Sequence, residues 1–163
     1  MSVNLNLQEY SLNVINTNSS NTNINFIEWL VGLTEGDGTF TIGTQQRPQG
    51  TYYYCIFKVS QSAYNLKVLE FIHNTLKCGG IYPKDPLNHN YYYRVVGKEQ
   101  LLRVIVPIFK LYPMHTIKYR RFELFLEALT LTNPYDERFA KLKVGKKPKV
   151  FFLDDFIKDK IGH

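Results

Sequence analysis

The chain has 163 residues, a formal net charge of +6, and 44% hydrophobic and 15% aromatic residues. This length fits one compact domain, and the apolar content excludes a wholly disordered chain. No apolar run approaches the roughly 18 residues of a membrane span, and the Asn-rich N-terminus lacks the pattern of a secretory signal. Two cysteines, Cys55 and Cys78, are too few for a zinc site or a disulfide framework. We therefore expect a soluble intracellular protein with reduced, buried thiols and no membrane partner.

The positive charge is concentrated in the second half of the chain. Residues 1–93 contain five Lys or Arg and six Asp or Glu, whereas residues 94–149 contain thirteen and five. A cluster of this kind indicates a polyanionic partner; the alternative is that these side chains only solvate C-terminal helices. Twelve Tyr and eleven Phe add side chains that can pack inward and, for Tyr, offer a hydroxyl to a phosphate or a base edge. Nucleic acid is therefore the leading predicted partner.

The first 25 residues contain eight asparagines, which predicts a mobile N-terminal tail. Four residues then recur at the spacing of one helical face: Ile27, Leu30, Val31 and Thr34. Asn25 is the predicted N-cap of this helix, with Glu28 in the capping-box position. Gly36 and Gly38 are predicted to end it.

Two segments with strand-like alternation follow, over residues 39–44 and 52–61, joined by a predicted loop over residues 45–51 that contains Pro and Gly. The inward face of the second strand is predicted to consist of Tyr53, Cys55, Phe57 and Val59. A helix is predicted over residues 65–76, and a second strand pair over residues 81–82 and 91–96.

The last predicted elements are helices over residues 99–110, which Pro107 interrupts, and 116–131, followed by a partly helical, basic segment over 133–149. The predicted order is αββαββα with additions. This order is typical of an α+β fold in which helices pack on one face of one antiparallel sheet. The ordered domain is predicted to span residues 26–149, with a C-terminal tail over residues 150–163.

Residues 30–38, Leu-Val-Gly-Leu-Thr-Glu-Gly-Asp-Gly, carry the most informative pattern. Gly32 and Gly36 are four residues apart, so they share one helical face with Trp29 and Leu33. A glycine inside a helix costs about 0.5–1 kcal/mol relative to alanine, which requires a compensating reason. Close approach of a second helix is such a reason. The alternative, a helix C-cap and turn, explains Gly38 but not Gly32.

Asp37 is also unusual, because a carboxylate at a helix C-terminus faces the negative end of the helix dipole. A divalent cation would reverse this effect, since carboxylate and free carbonyl oxygens are hard ligands that suit Mg²⁺. One aspartate makes a poor metal site. Two aspartates, brought together by a glycine-lined helix pair, would make a good one.

Residues 30–38 resemble the LAGLIDADG motif of homing endonucleases, with Thr34-Glu35 in place of the usual Ile-Asp pair. The resemblance extends over roughly residues 26–131, because the order of elements also matches the αββαββα core of that family. It implies a saddle-shaped antiparallel sheet with helices on one face. Family members with a single motif dimerise, so the resemblance implies a homodimer, or half of a larger or split protein. The dimer interface would contain Trp29, Gly32, Leu33 and Gly36.

The same resemblance implies an active site. Asp37 would bind Mg²⁺ or Mn²⁺ together with the carbonyl oxygen of Gly36, and Gln61 would order water. Lys118 would stabilise charge on the scissile phosphate, with Lys110 as its competitor for that role. The alternative for Gln61 is a surface residue at a strand end. The four histidines share no metal-ligand spacing.

The implied substrate is double-stranded DNA, cut in both strands to leave short 3′ overhangs at a long, partly palindromic target. The groove-reading residues would be Thr39, Thr41, Arg47, Tyr52, Tyr54 and Lys58. Two alternatives remain open: a maturase that binds group I intron RNA, and a non-catalytic nucleic-acid-binding or ribonucleoprotein component. The resemblance also implies an organelle as the location, the mitochondrion before the plastid, because intron-encoded members of the family are typically organellar. The composition fits an AT-rich genome, and no transit peptide is apparent.

Overall fold

The computed structural model describes residues 20–144, so most of the predicted N-terminal tail and all of the predicted C-terminal tail lie outside the described residues. Helix α1 spans Ser20–Asp37 and ends one residue before the end of the motif, so Gly38 follows the helix as predicted, whereas Gly36 lies inside it. The predicted N-cap at Asn25 and the capping box with Glu28 are wrong, because both residues lie inside α1. Both are exposed, and an exposed asparagine lowers helix stability only slightly, so the buried residues that follow still determine the helix.

Four antiparallel strands form one sheet in the order β1-β2-β4-β3: β1 (Gly38–Arg47), β2 (Gly50–Ser62), β3 (Gly80–Pro83) and β4 (Asn90–Val95). The predicted loop over residues 45–51 is wrong, because β1 and β2 stay paired out to Arg47 and Gly50. Only Pro48 and Gln49 separate the two strands, and Gly50, at φ +125°, accommodates the reversal. The hairpin end is polar on both faces, so it shows no apolar alternation.

Helix α2 spans Leu66–Leu76, close to the predicted range, and buries Leu69, Ile72 and Leu76. Three consecutive helical pieces follow β4: α3 (Lys98–Gln100), a π-helical stretch (Leu101–Ile105) and α4 (Val106–Leu111). Pro107 lies in the first turn of α4, where a missing backbone N–H is tolerated. The irregular part of this helical run is therefore the π-helical stretch before Pro107, and the helix continues through Pro107 itself. Helices α5 (Lys118–Leu129) and α6 (Arg138–Val144) complete the described chain.

The core lies between the helices and one face of the sheet. Phe40 of β1 is at its centre, with ring centroids 4.9–5.2 Å from those of four other phenylalanines: Phe57, Phe109, Phe122 and Phe125. The predicted inward residues Cys55, Phe57 and Val59 are buried, and Tyr53 packs against the core. The predicted α+β architecture is therefore confirmed. Within residues 20–144, no helix combines the length and the apolarity that a membrane crossing requires.

Gly38 lets β1 start directly against the end of α1. A Cβ atom at this position would lie 2.5 Å from Cγ2 and 2.8 Å from Cα of Thr34, which is fully buried. We expect Gly38→Ala to lower the free energy of unfolding by about 1–3 kcal/mol through overpacking, measured by urea denaturation. Gly97→Ala is the matched control, because its Cβ would meet only ordinary contacts with Gln100. Equal stability of the two variants would contradict this role for Gly38.

Candidate functional site

The motif places a carboxylate at the junction of α1 and β1. Asp37 is the last residue of α1 and is exposed. The Thr34 hydroxyl donates to the carbonyl oxygen of Leu30 at 2.7 Å, so this polar side chain is satisfied inside the helix. The end of α1 thus presents the Asp37 carboxylate and the last helix carbonyls, which have no partner within the helix.

Gln61 lies beside Asp37 because of the β1–β2 register. Gly38 is paired with Val59, so the end of β2 runs past the end of α1. Nε2 of Gln61 donates to Oδ2 of Asp37 at 2.6 Å, and Nδ2 of Asn65 donates to Oε1 of Gln61 at 3.1 Å. The glutamine is therefore held by two hydrogen bonds and is not a free surface residue.

Lys118, the first residue of α5, reaches the same junction. Its Nζ donates to the carbonyl oxygens of Thr34, at 2.9 Å, and of Gly36, at 3.2 Å. Partial burial lowers the pKa of the Lys118 ammonium from its usual value, and the carboxylates of Asp37 and Glu35 oppose this shift. Lys118 thus makes two hydrogen bonds at the junction. Among residues 20–144, no hydrogen bond or ion pair joins Lys110 to the junction.

Glu35 makes a contact that the sequence did not indicate. Its Oε1 accepts hydrogen bonds from the backbone N–H groups of His115 and Thr116, the latter at 3.0 Å. These residues lie in the segment that leads into α5. The end of α1 and the start of α5 are thus joined in both directions, by the Glu35 carboxylate and by the Lys118 ammonium.

The oxygen atoms at the junction fit part of a site for a hard divalent cation. The Asp37 carboxylate and the Gly36 carbonyl are adjacent and exposed, and both are hard oxygen ligands. The Gly36 oxygen accepts one hydrogen bond from Lys118 and keeps a second lone pair. Within the described residues, no group of three or more His, Cys, Asp or Glu side chains could hold a metal ion. At this junction, the described residues therefore offer one exposed carboxylate, that of Asp37, beside backbone carbonyl oxygens.

The predicted groove-reading residues share the face of the sheet that the helices leave open. Strand pairing places Thr39 opposite Lys58 and brings Thr41 onto the same face, while Phe40 and Ile42 point into the core. At the far end of the hairpin, the guanidinium of Arg47 stacks over the ring of Tyr52 at 3.6 Å. Tyr54 lies on the same side of β2, and its ring closely approaches Gly43 on the neighbouring strand.

Three further residues belong to this open face. Arg94 of β4 lies with its guanidinium 4.6 Å from the ring centroid of Tyr82 and 5.8 Å from that of Tyr92. Lys58 lies 5.2 Å from the centroid of Tyr92, so cationic and aromatic side chains alternate across β2, β4 and β3. The alternation of β4, with Tyr93 and Val95 buried, was visible in the sequence and could have identified Arg94 and Tyr92.

The loop before α6 extends the open face at the hairpin end. The ring centroid of Tyr135 lies 5.6 Å from that of Tyr52, and its hydroxyl donates to Oε1 of Gln49 at 3.4 Å. The N–H of Tyr53 also donates to the carbonyl oxygen of Pro134 at 2.8 Å. This loop therefore supports the end of the sheet that lies farthest from Asp37.

The predicted dimer-interface residues lie along one side of α1. Gly32 and Gly36 are exposed, and no atom would come within 4 Å of a Cβ at either position. Leu33 is half-buried, and Trp29 is 39% exposed, with its ring centroid 5.6 Å from that of Phe71 on α2. Nothing within the described chain explains why Gly32 is a glycine.

Both cysteines are buried and free, as predicted. Burial raises the pKa of the Cys55 thiol to about 11, which keeps it protonated and unreactive. Cys55 borders a cavity of about 360 Å³ between β2 and the helices. The residues of the Asp37 junction do not line that cavity.

Comparison with known proteins identifies relatives that match most of the described region. The family model for the LAGLIDADG endonuclease matches residues 30–129. The probable intron-encoded endonuclease Cox1-I1b of Schizosaccharomyces pombe is 35% identical over 116 residues, which are 71% of this chain and 30% of that protein. The probable intron-encoded endonuclease 4 of Neurospora crassa is 27% identical over 122 residues, 75% of this chain and 21% of that protein. The chain thus spans less than a third of the length of these relatives.

The comparison with solved structures finds proteins of the same fold. I-SmaMI bound to uncleaveable DNA matches with a TM-score of 0.67 and 25% identity, over 74% of this chain and 44% of that one. The homing endonuclease I-TnaI matches with a TM-score of 0.59 and 23% identity, over 64% of this chain and 71% of that one, which supports the fold alone. Since the family model covers more than half of the chain and the fold agrees with it, the chain belongs to the LAGLIDADG endonuclease family.

Proposed function

We propose that this chain is a site-specific homing endonuclease that cuts both strands of a long, partly palindromic DNA target and leaves short 3′ overhangs. The observation that carries the proposal is the convergence of Asp37, Gln61 and Lys118 at one end of an open, aromatic and cationic sheet face. A structural relative, I-SmaMI, has been seen bound to cleaved DNA, and bound to uncleaved DNA in the presence of calcium ions.

Each residue of the junction has a distinct chemical task in this proposal. Asp37 and the Gly36 carbonyl would hold Mg²⁺ or Mn²⁺, which supplies Lewis acidity and lowers the pKa of bound water. Gln61 donates one amide hydrogen to Asp37, which leaves its second amide hydrogen to orient a water molecule. The Lys118 ammonium lies where it can neutralise charge that develops on a phosphate oxygen. The Asp37 and Glu35 carboxylates favour the charged form of Lys118 and oppose the lowering of its pKa by partial burial.

The open face of the sheet is the proposed DNA-binding surface. Thr39, Thr41, Tyr54 and Lys58 would read base edges near the junction, and Arg47 and Tyr52 would contact the duplex farther out. A sheet face of this kind combines cations for phosphates with hydroxyls and flat rings for base edges. Each side chain alone is an ordinary solvated strand residue, and their shared face is what supports the proposal.

The proposed active unit is a homodimer. One chain has one Asp37 and an incomplete cation site, and pairing of α1 with its copy through Gly32 and Gly36 would bring two carboxylates together. A two-fold dimer would bind a two-fold related DNA target, which is why we expect a partly palindromic target. If the chain is one half of a longer or split protein, the same side of α1 would pair with the other half.

We also assign the chain to an organelle, the mitochondrion in preference to the plastid. The curated relatives are named as intron-encoded endonucleases, and the Asn-, Ile- and Tyr-rich composition fits an AT-rich genome. No separate observation favours the alternative role as an intron-RNA maturase.

The proposal is tested with a DNA duplex that spans the intron-insertion junction of the coding gene. We expect cleavage of both strands at one position in the presence of Mg²⁺, recessed 5′ ends on the products, and no cleavage after chelation with EDTA. A duplex of the same composition in scrambled order is the control. Specific binding without cleavage in any divalent cation would contradict the nuclease assignment and favour a binding role.

Arg94 offers a test of the proposed DNA surface. Arg94→Ala removes a cation and unstacks Tyr82 and Tyr92, so we expect DNA affinity to fall by about tenfold, with a shallower salt dependence. Lys143→Ala is the control, because it removes one exposed charge from α6 instead of from the sheet. Fluorescence anisotropy over a range of salt concentrations measures both quantities. Equal losses in the two variants would show that net charge, and not this face, determines binding.

A further inference from the structure

We propose that Glu35 is a positioning residue that fixes Lys118 at the junction by binding the backbone immediately before α5. The proposal rests on the function proposed above for Lys118.

The contact of Glu35 joins two parts of the chain that are 80 residues apart. One carboxylate oxygen accepts from two successive backbone N–H groups, those of His115 and Thr116. Hydrogen bonds from N–H groups to an ionised carboxylate are among the strong ones in proteins. This pair therefore fixes the main chain of the α4–α5 loop, and not merely one side chain.

The fixed backbone leads directly to Lys118. The Thr116 carbonyl accepts from the N–H of Tyr119 at 3.0 Å, and the Ile117 carbonyl accepts from the N–H of Arg120 at 3.0 Å, so the first turn of α5 is built on the residues that Glu35 holds. No side chain caps this helix at Ile117. Within residues 20–144, Glu35 is the side chain that binds backbone N–H groups at the entry to α5.

Lys118 in turn forms hydrogen bonds with the residues on either side of Glu35. Its ammonium binds the carbonyl oxygens of Thr34 and Gly36. A lysine side chain has several rotatable bonds, so its position at a site depends strongly on where its backbone is held. Without Glu35, the loop can shift and the ammonium is no longer constrained to the junction.

A double-mutant cycle tests whether Glu35 acts through Lys118. We expect Glu35→Ala to lower the single-turnover cleavage rate at saturating DNA by about 10- to 100-fold, with little change in DNA affinity. Glu35→Gln keeps an acceptor oxygen and is expected to recover most of this loss. Combined with Lys118→Met, Glu35→Ala is expected to have almost no additional effect. Multiplicative effects of the two substitutions, or an equal loss in the control Glu127→Ala on α5, would overturn the proposal.

A second measurement does not depend on nuclease activity. Acetylation of lysines by acetic anhydride at fixed pH, followed by mass spectrometry, reports how accessible each amine is and what fraction of it is unprotonated. Glu35→Gln removes the same charge as Glu35→Ala, so we expect Lys118 to react faster in Glu35→Ala than in both Glu35→Gln and the wild type, while the exposed Lys110 on α4 stays unchanged as an internal reference. Unchanged reactivity of Lys118 would overturn the positioning role. If the wild type cleaves no DNA and this result still holds, the proposed function fails and the positioning contact remains.

Discussion

Asp37→Asn is expected to abolish DNA cleavage while leaving the fold and DNA binding intact. The substitution removes one negative charge and a hard oxygen ligand without changing the size of the side chain. The remaining amide oxygen can still accept the hydrogen bond from Nε2 of Gln61, which is 2.6 Å long in the wild type. Because a bound divalent cation contributes several kcal/mol to phosphodiester hydrolysis, we expect the rate to fall by at least about 1,000-fold.

The control for this prediction is Glu70→Gln, which makes the same change in charge at an exposed position of α2. Cleavage of a radiolabelled duplex under single-turnover conditions gives the rate, and anisotropy in calcium gives the affinity. Weak binding by Asp37→Asn with a normal rate at saturating DNA would assign Asp37 to recognition. Cleavage at the wild-type rate would remove it from the proposed cation site.

The elements that bury one regular apolar face could be predicted from the sequence. Helix α2 and the middle of β2 were located within a residue or two, because their inward residues follow a clear period. The start of α1 and the tip of the β1–β2 hairpin were not located correctly, because the exposed polar residues there show no periodic pattern of apolar side chains. These boundaries depend on hydrogen bonding between strands and on packing farther along the chain.

The residues of the junction were predictable to different degrees. Asp37 belongs to the motif, and Gln61 was implied by the resemblance to the family, since its position alone also fits a surface residue at a strand end. The choice between Lys110 and Lys118 could not be made from the sequence, because it depends on how α5 packs against the end of α1, more than 80 residues away. Glu35 could not be identified either, since its partners are backbone N–H groups that every residue type except proline possesses.

The charge distribution indicated the class of partner but not the surface. Among the basic residues of 94–144, Arg94 lies on the open face of the sheet, and the other nine lie in helical segments. The cations of the proposed DNA surface are therefore drawn from three strands, two of which precede the basic segment. A net charge summed along the chain cannot show this, because strand pairing brings together residues that are distant in sequence.

We expect the wild-type chain to be a dimer and Gly32→Leu to be a monomer that no longer cleaves DNA. A glycine in the middle of α1 costs about 0.5–1 kcal/mol, and within the described chain no atom would come within 4 Å of a Cβ at this position. The leucine is therefore compatible with the folded monomer and should not reduce its helix content. In a close pairing of two α1 helices, the same side chain would separate the backbones and keep the two Asp37 carboxylates apart.

Sedimentation equilibrium over a range of concentrations measures the effect on assembly, and circular dichroism verifies the fold. Glu127→Leu is the control, because it adds the same side chain to an exposed position of α5, away from the proposed interface. We expect this control to remain dimeric and active. A dimer of Gly32→Leu with wild-type affinity would exclude pairing through this side of α1. The cation site proposed at Asp37 would then have to be completed by a surface other than the glycine-lined side of the motif helix.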